Sequence, residues 1–296
     1  MTAEVLTPTV AAERRITLAM RAAHFARGNV LFVIGGCIFV AVVLGAIFAP
    51  LIAPYDPTAI NFIDKLQGPG VNHLMGTNDL GQDIFSQVVF GARTSLMVGV
   101  VVISLAIGIG VPIGLLAGFF GGRIDTVLMR ISDVFLAFPP LLLPIAITAA
   151  LGTGLFNAMV ALAVSWFPWY SRIVRGAVMR VKSELYISAA RAMGVSSLRI
   201  MLRHALPNST TPIIVQGSMD FGYSILAAAS LSFIGIGAQP PTPEWGLMAA
   251  MSRTRFIDNW WTVTFPGLAI FVTVLAVNLV GDGVRDILDP RHQSGH

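Results

Sequence analysis

"ISAARAMGVSSLRIMLRHALP", residues 187–207, separates two long apolar runs and crowds Arg191, Arg199, Arg203 and His204 into a short span. Ala189, Ala190, Arg191, Ala192 and Met193 are good helix formers. Gly194 suits the left-handed position that closes a helix. Ser196 or Ser197 is then placed to cap a second short helix over 198–205. Pro207 is expected to end that helix, because a residue preceding proline is pushed out of helical geometry. The second helix presents Leu198, Ile200, Met201 and Leu202 among basic residues. Such a hairpin can dock into a groove on a soluble partner, or it can lie against anionic lipid head groups. Its surroundings bear on that choice.

The chain has 296 residues, 55% hydrophobic and 11% charged, with a mean hydropathy of +0.77. Soluble domains average about 25% charged residues, so an all-α integral membrane protein is expected. Cys37 is the only cysteine, which excludes disulfide frameworks and cysteine metal clusters. A phosphate-binding P-loop needs lysine directly after glycine. The only lysines, Lys65 and Lys182, follow Asp64 and Val181, so the chain carries no ATP site of that type.

Six spans are expected, at about 30–53, 96–119, 134–151, 156–173, 211–236 and 262–280. The first exceeds twenty residues and follows Arg14, Arg15, Arg21 and Arg27, as a retained span would rather than a cleaved signal peptide. A tight Gly-Thr-Gly turn separates the third from the fourth. The fifth is interrupted by Gln216, Asp220, Ser224, Ser230 and Ser232, so it should face protein or a water-filled cavity. With the N-terminus in the cytoplasm, fifteen of the nineteen Lys and Arg residues fall on the cytoplasmic side, as the positive-inside rule requires. Both termini are then cytoplasmic, and so is the opening stretch. Basic charge that sets topology needs no nucleic-acid partner. The expected organisation is a cytoplasmic segment 1–28, a first span with an external segment over 29–92, a five-helix core over 93–282, and a cytoplasmic tail 283–296.

Several polar residues admit two readings. Asp220, costing about 2.5–3.5 kcal/mol inside a bilayer, either lines a pathway or is hydrogen-bonded to a neighbouring helix. Arg130 and Asp133 can pair at i, i+3. His73, Asp79 and Asp83 suit an outer metal site or ordinary loop polarity. Trp245, Trp260 and Trp261 fit an aromatic belt at the outer interface, and Pro240–Pro243 a rigid outer turn.

The stretch resembles the "EAA" loop of transmembrane subunits of binding-protein-dependent ABC importers. Ala189-Ala190, Gly194, Leu206 and Pro207 stand at that pattern's spacing, and Ser188 replaces its usual glutamate. "HLMGTNDLGQDIFSQVVFGARTSL" (73–96), "RISDVFLAFPPLLL" (130–143), "ASLSFIGIGAQPPTPEWG" (229–246) and "NLVGDGVRDILDPR" (278–291) narrow the likeness to the C-type subunit of the peptide/nickel permease family. Asn78, Gln82 and Gln87 stand where that family more often has charged residues.

The resemblance implies a type I ABC importer permease fold of six transmembrane helices with a cytoplasmic coupling-helix loop. It also implies a multi-pass protein of a bacterial inner membrane, without catalytic residues or a cofactor of its own. ATP and Mg belong to two partner ATPase subunits, a sister permease completes the pathway, and an extracytoplasmic binding protein delivers cargo. Peptides are the first expectation for that cargo, with glutathione and nickel chelates as alternatives. Carried onto this chain, the docking element is 183–207. The coupling piece lies around Ser197, Leu198, Arg199, Ile200, Met201, Arg203 and His204. Gly194 supplies the bend, and Arg191, Arg199 and Arg203 pair with acids on the ATPase. A stand-alone ion-coupled carrier would show inverted repeats and paired broken helices, and an intramembrane enzyme a His-Glu-x-x-His or Gly-x-Ser-x-Gly motif. Neither pattern is evident.

Overall fold

The computed structural model describes residues 29–288, so Arg14, Arg15, Arg21, Arg27 and Arg291 lie outside the described residues. Its elements are helical throughout, apart from an isolated bridge between Thr77 and Asp83. Helix α1 covers Val30–Ile47 and stops at a kink on Phe48, and one further turn, α2 (Ala49–Ile52), follows with Pro50 in it. Helix α3 runs unbroken over Ile84–Phe120, 37 residues, or about 55 Å at 1.5 Å per residue. Asp83 caps it, accepting from Ser86 N at 2.8 Å and Ser86 Oγ at 2.7 Å. That cap explains why the helix begins twelve residues before the apolar run.

The expected span 134–151 is not one helix. Helix α4 (Gly122–Leu136) ends before Pro139-Pro140, and α5 (Leu142–Leu151) resumes after it. Two consecutive prolines remove two N–H donors, and the second forces the first out of helical geometry. Helix α6 (Leu155–Lys182) and helix α9 (Thr210–Ile234) bracket the opening stretch, and α10 (Trp245–Ser252) and α11 (Trp261–Leu288) complete the chain. Helices α1, α3 and α11 are long and apolar enough to cross a membrane by length and composition.

The most extensive helix–helix contact joins α3 to α6. Gly110, Gly114 and Gly118 lie one turn apart and bring the two backbones together, as small residues do between membrane helices. A Cβ on Gly110 would sit 2.6 Å from the Phe167 carbonyl oxygen, and one on Gly118 2.8 Å from that of Arg175. Close packing here fixes two ends of the molecule relative to each other. At one end of α3, Ile84 clusters with Trp245 and Trp261. At the other, Phe119 clusters with Ile187, Ile200 and Met201.

Candidate functional site

The stretch 187–207 folds as a hairpin on the α6/α9 side of the bundle. Its first arm, α7 (Leu185–Ala192), ends in a Schellman closure. Gly194 N donates to Arg191 O at 2.9 Å and Val195 N to Ala190 O at 3.1 Å, with Gly194 at φ +79°. A residue with a Cβ would be strained there. Ser196 takes the cap position of α8 (Ser197–Ile200), but its side chain bonds none of the free N–H groups.

Two expectations fail in the second arm. It is α-helical only to Ile200 and then widens into a π-turn over Met201–Ala205, closed by Leu206 N donating to Met201 O at 2.9 Å. Pro207 does not stop it. Leu206 is helical (φ −60°, ψ −50°), and a 3₁₀ turn, Pro207–Ser209, carries the chain straight into α9. An ordinary α-turn would set the Pro207 ring against the carbonyl four residues back, and the wider coil relieves that clash. Side chains occupy the carbonyls left behind: Asn208 Nδ2 donates to His204 O at 2.7 Å and Ser209 Oγ to Ala205 O at 2.8 Å. The second arm is thus a continuous extension of α9.

Ile187, Ala190, Ile200, Met201 and Ala205 point inward and pack with Phe119, Val174 and Val178. Ile200 and Met201 are therefore anchors rather than part of the exposed ridge. The exposed apolar side chains include Leu185, Tyr186, Met193 (77% exposed), Leu198 (60%) and Leu202, with Ala189, Arg199 and Arg203 exposed beside them. Arg191 is exposed too, but its guanidinium lies over the Phe119 ring at 5.8 Å.

Where α6 and α4 meet near this end, Arg175 forms a two-pronged pair with Asp125, at 2.5 and 2.6 Å. The Arg175 hydrogen bonds hold the Asp125 carboxyl below the usual carboxylate range, against the opposing pull of burial. Asp133 pairs with Arg172 across the helices, not with Arg130 along its own.

Two polar residues of α9, Gln216 and Asp220, meet a tyrosine of α6, whereas Ser224 and Ser230 donate to carbonyls of their own helix. Asp220 accepts from Tyr170 Oη of α6 at 2.8 Å and from Gln216 Nε2, one turn back, at 2.9 Å. The bonded carboxylate also borders a cavity of about 460 Å³, whose walls include Trp166, Trp169, Tyr223 and the Pro139-Pro140 break. The two readings of Asp220 are compatible in this geometry. Trp166 and Tyr223 stack with centroids 5.2 Å apart, 18° from parallel. The i, i+4 spacing of Gln216 and Asp220 was legible in the sequence, whereas Tyr170, fifty residues away, carried no signal of its role.

At the far end, 54–83 and 238–261 close on each other. His73 Nδ1 lies 3.0 Å from Asp83 Oδ1, while Asp79 instead lines a separate cavity of about 290 Å³ against Pro240–Pro243. No cluster of three metal-binding side chains occurs among the described residues. Asn78, Gln82 and Gln87 form one amide network: Asn78 Nδ2 donates to Gln82 Oε1 at 2.8 Å, and Gln87 Nε2 to the same oxygen at 2.9 Å. Trp245 and Trp261 are buried anchors rather than belt residues, with indole N–H groups donating to Val88 O at 2.9 Å and Thr77 O at 3.2 Å. Trp260 alone of the three is exposed.

Residues 110–294 match the family described as binding-protein-dependent transport system inner membrane component, and residues 21–69 match the N-terminal TM domain of oligopeptide transport permease C. A probable D,D-dipeptide transport system permease protein of Escherichia coli K12 is 44% identical over 90% of this chain and 89% of its own length. A dipeptide transport system permease protein of Alkalihalophilus pseudofirmus is 46% identical over 90% of this chain and 88% of its own. A glutathione transport system permease protein of Escherichia coli O6:K15:H31 is 46% identical over 92% and 88%. Among solved structures, an inward-facing MetNI methionine ABC transporter superposes with a TM-score of 0.56 at 19% identity, covering 69% of this chain and 96% of the other.

Proposed function

We propose, from the premise that this chain belongs to the family of binding-protein-dependent transport system inner membrane components, that it is one of two sister permeases of an ATP-driven peptide importer in a bacterial inner membrane. The family and fold make it a membrane-embedded ABC permease subunit. Dipeptides are the cargo in the names of its relatives, and oligopeptides that in the description of the family matched at 21–69. Six spans and cytoplasmic termini complete the reading, supported by the nine Lys and Arg residues from Arg123 to Arg203, which the positive-inside rule assigns to the cytoplasmic side. ATP and Mg are held by two separate ATPase subunits, and an extracytoplasmic binding protein loads the pathway.

One observation carries this reading: the hairpin's apolar feet are buried while Leu185, Met193, Leu198 and Leu202 stand exposed beside Arg199 and Arg203. A short apolar ridge edged with positive charge fits a groove on a soluble partner with an acidic rim. Because the second arm continues into α9, a push on the ridge tilts the helix that carries Asp220. Closure of the ATPase dimer on ATP supplies the push.

The test is copurification and reconstitution. The chain should retain its ATPases through detergent extraction, and vesicles holding the full assembly should import dipeptides only with ATP and binding protein. Uptake by this chain alone in liposomes would sink the reading. Glutathione is the second cargo worth measuring, because a glutathione permease is as similar as the dipeptide ones. Preferential uptake of glutathione over alanyl-alanine would replace the peptide assignment.

A further inference from the structure

We propose that Asp220, with the aromatic wall of Trp166, Trp169 and Tyr223, forms an intramembrane subsite for a primary ammonium group, the amino terminus of a peptide in transit. The inference rests on the peptide reading above and adds where on this chain the cargo is recognised.

The carboxyl group is oriented by two donors and has no charged partner among the described residues. Tyr170 Oη bonds one oxygen at 2.8 Å and Gln216 Nε2 the other at 2.9 Å. Both donors are uncharged. A carboxylate offers about four acceptor positions, so these two bonds orient the group and leave capacity unused. No basic side chain forms an ion pair with Asp220 among the described residues. An acid inside a membrane helix without a counter-cation is expected to face a cation that comes and goes, or water.

The walls match that expectation. The cavity beside Asp220 measures about 460 Å³, within the roughly 300–1,000 Å³ range of small-molecule sites. Trp166 and Tyr223 stack at one side, and Trp169 is half exposed next to them. Indole and phenol faces attract ammonium groups once water is excluded. The opening exists because Pro139-Pro140 divides the run 134–151 into two helices, so the backbone steps aside at the level of Asp220. Aromatic side chains in the wall beside one oriented carboxylate favour a compact cation, and a cavity of this size admits the remainder of a dipeptide.

The deciding experiment is equilibrium binding of radiolabelled alanyl-alanine to the assembled transporter in lipid nanodiscs, without binding protein. N-acetyl-alanyl-alanine, which lacks the ammonium group, is the competitor. Wild type should bind saturably, and the acetylated peptide should compete at least about tenfold more weakly, a difference of 1.4 kcal/mol. Asp220→Asn should weaken binding by at least about tenfold, and Asp220→Glu should recover part of the loss. Should Asp220→Asn fail to assemble, Tyr170→Phe provides the second variant. It frees the carboxylate, and should lower affinity for alanyl-alanine several-fold while leaving the weak competition by the acetylated peptide unchanged. Equal competition by both peptides, or wild-type affinity in Asp220→Asn, overturns the subsite. Binding that behaves as described in an assembly that imports no peptide with ATP and binding protein would overturn the importer reading while the subsite stands.

Discussion

Both ends of α3 rest on apolar clusters, but they differ in what surrounds those clusters. At the end formed by 54–83 and 238–261, the chain closes on itself. Asn78, Gln82 and Gln87 bond one another, Glu244 accepts from the N–H groups of Gly246 and Leu247 at 2.9 and 2.8 Å, and two indoles donate to backbone carbonyls. At the hairpin end, five buried apolar side chains provide the attachment, and the outer face is left apolar and unfilled. A polar network that satisfies itself makes a finished surface. On the docking proposed above, the exposed ridge of the helical arm is finished by a partner subunit.

Four measurements can break or sharpen that contrast. The largest effect is expected at the closed end. Trp245 is 2% exposed and spans the contact between α10 and α3, so Trp245→Ala should cost about 3–5 kcal/mol, read as a lowered unfolding temperature of the detergent-solubilised chain. A shift of only a degree or two would mean that this end is not an independent source of stability.

The turn of the hairpin comes next. Gly194 has open space around it and a φ of +79°, so Gly194→Ala should cost about 1–2 kcal/mol from backbone strain alone. The loss should appear as faster amide exchange within the hairpin, with the closed end unaffected. Uniform loosening of the whole chain would contradict the separation of the two regions.

The ridge itself should matter to partners and hardly at all to folding. Leu198→Ser should change stability by no more than about 0.5 kcal/mol, while retention of the ATPases falls at least about tenfold. Stability loss comparable to Trp245→Ala would show that the ridge is covered by this chain after all.

The smallest effect concerns pH. Because Arg175 lowers the Asp125 carboxyl below its ordinary value, the stabilisation from that pair is complete above the usual carboxylate range of about 4. It is lost as pH falls through the lowered value. The acid limb of the unfolding curve should therefore flatten in Asp125→Asn, and an unchanged acid limb would mean that the pair contributes nothing.

Periodic and compositional signals were legible, and contacts distant in sequence were not. The apolar runs of α1, α3 and α11 stood out because length and hydropathy are local properties. So did the Gly194 closure, since one residue type tolerates that backbone. The Pro139-Pro140 break was present in the letters but hidden by the apolar run around it. Pro207 misled for a related reason: its effect on the preceding residue depends on whether the coil upstream can widen, and Met201–Ala205 does so. Trp245 and Trp261 resembled interface aromatics until the backbone carbonyls of Val88 and Thr77 came within reach of their indoles. The i, i+3 spacing allows Asp133 to pair with Arg130, and only the packing of α4 on α6 brings Arg172 to it instead.

The sequence by itself determined that this is an all-helical membrane protein, which end carries the positive charge, and where a hairpin with an importer-type spacing lies. Each of these depends on a residue's own chemistry or on neighbours a turn or two away. Tertiary structure alone decided which hairpin residues are feet and which form the ridge, that the second arm continues into α9, and that Asp220 meets Tyr170 beside a cavity. Those facts depend on how closely α3, α6 and α9 approach one another, and the glycine contacts that set this distance join residues separated by more than fifty positions.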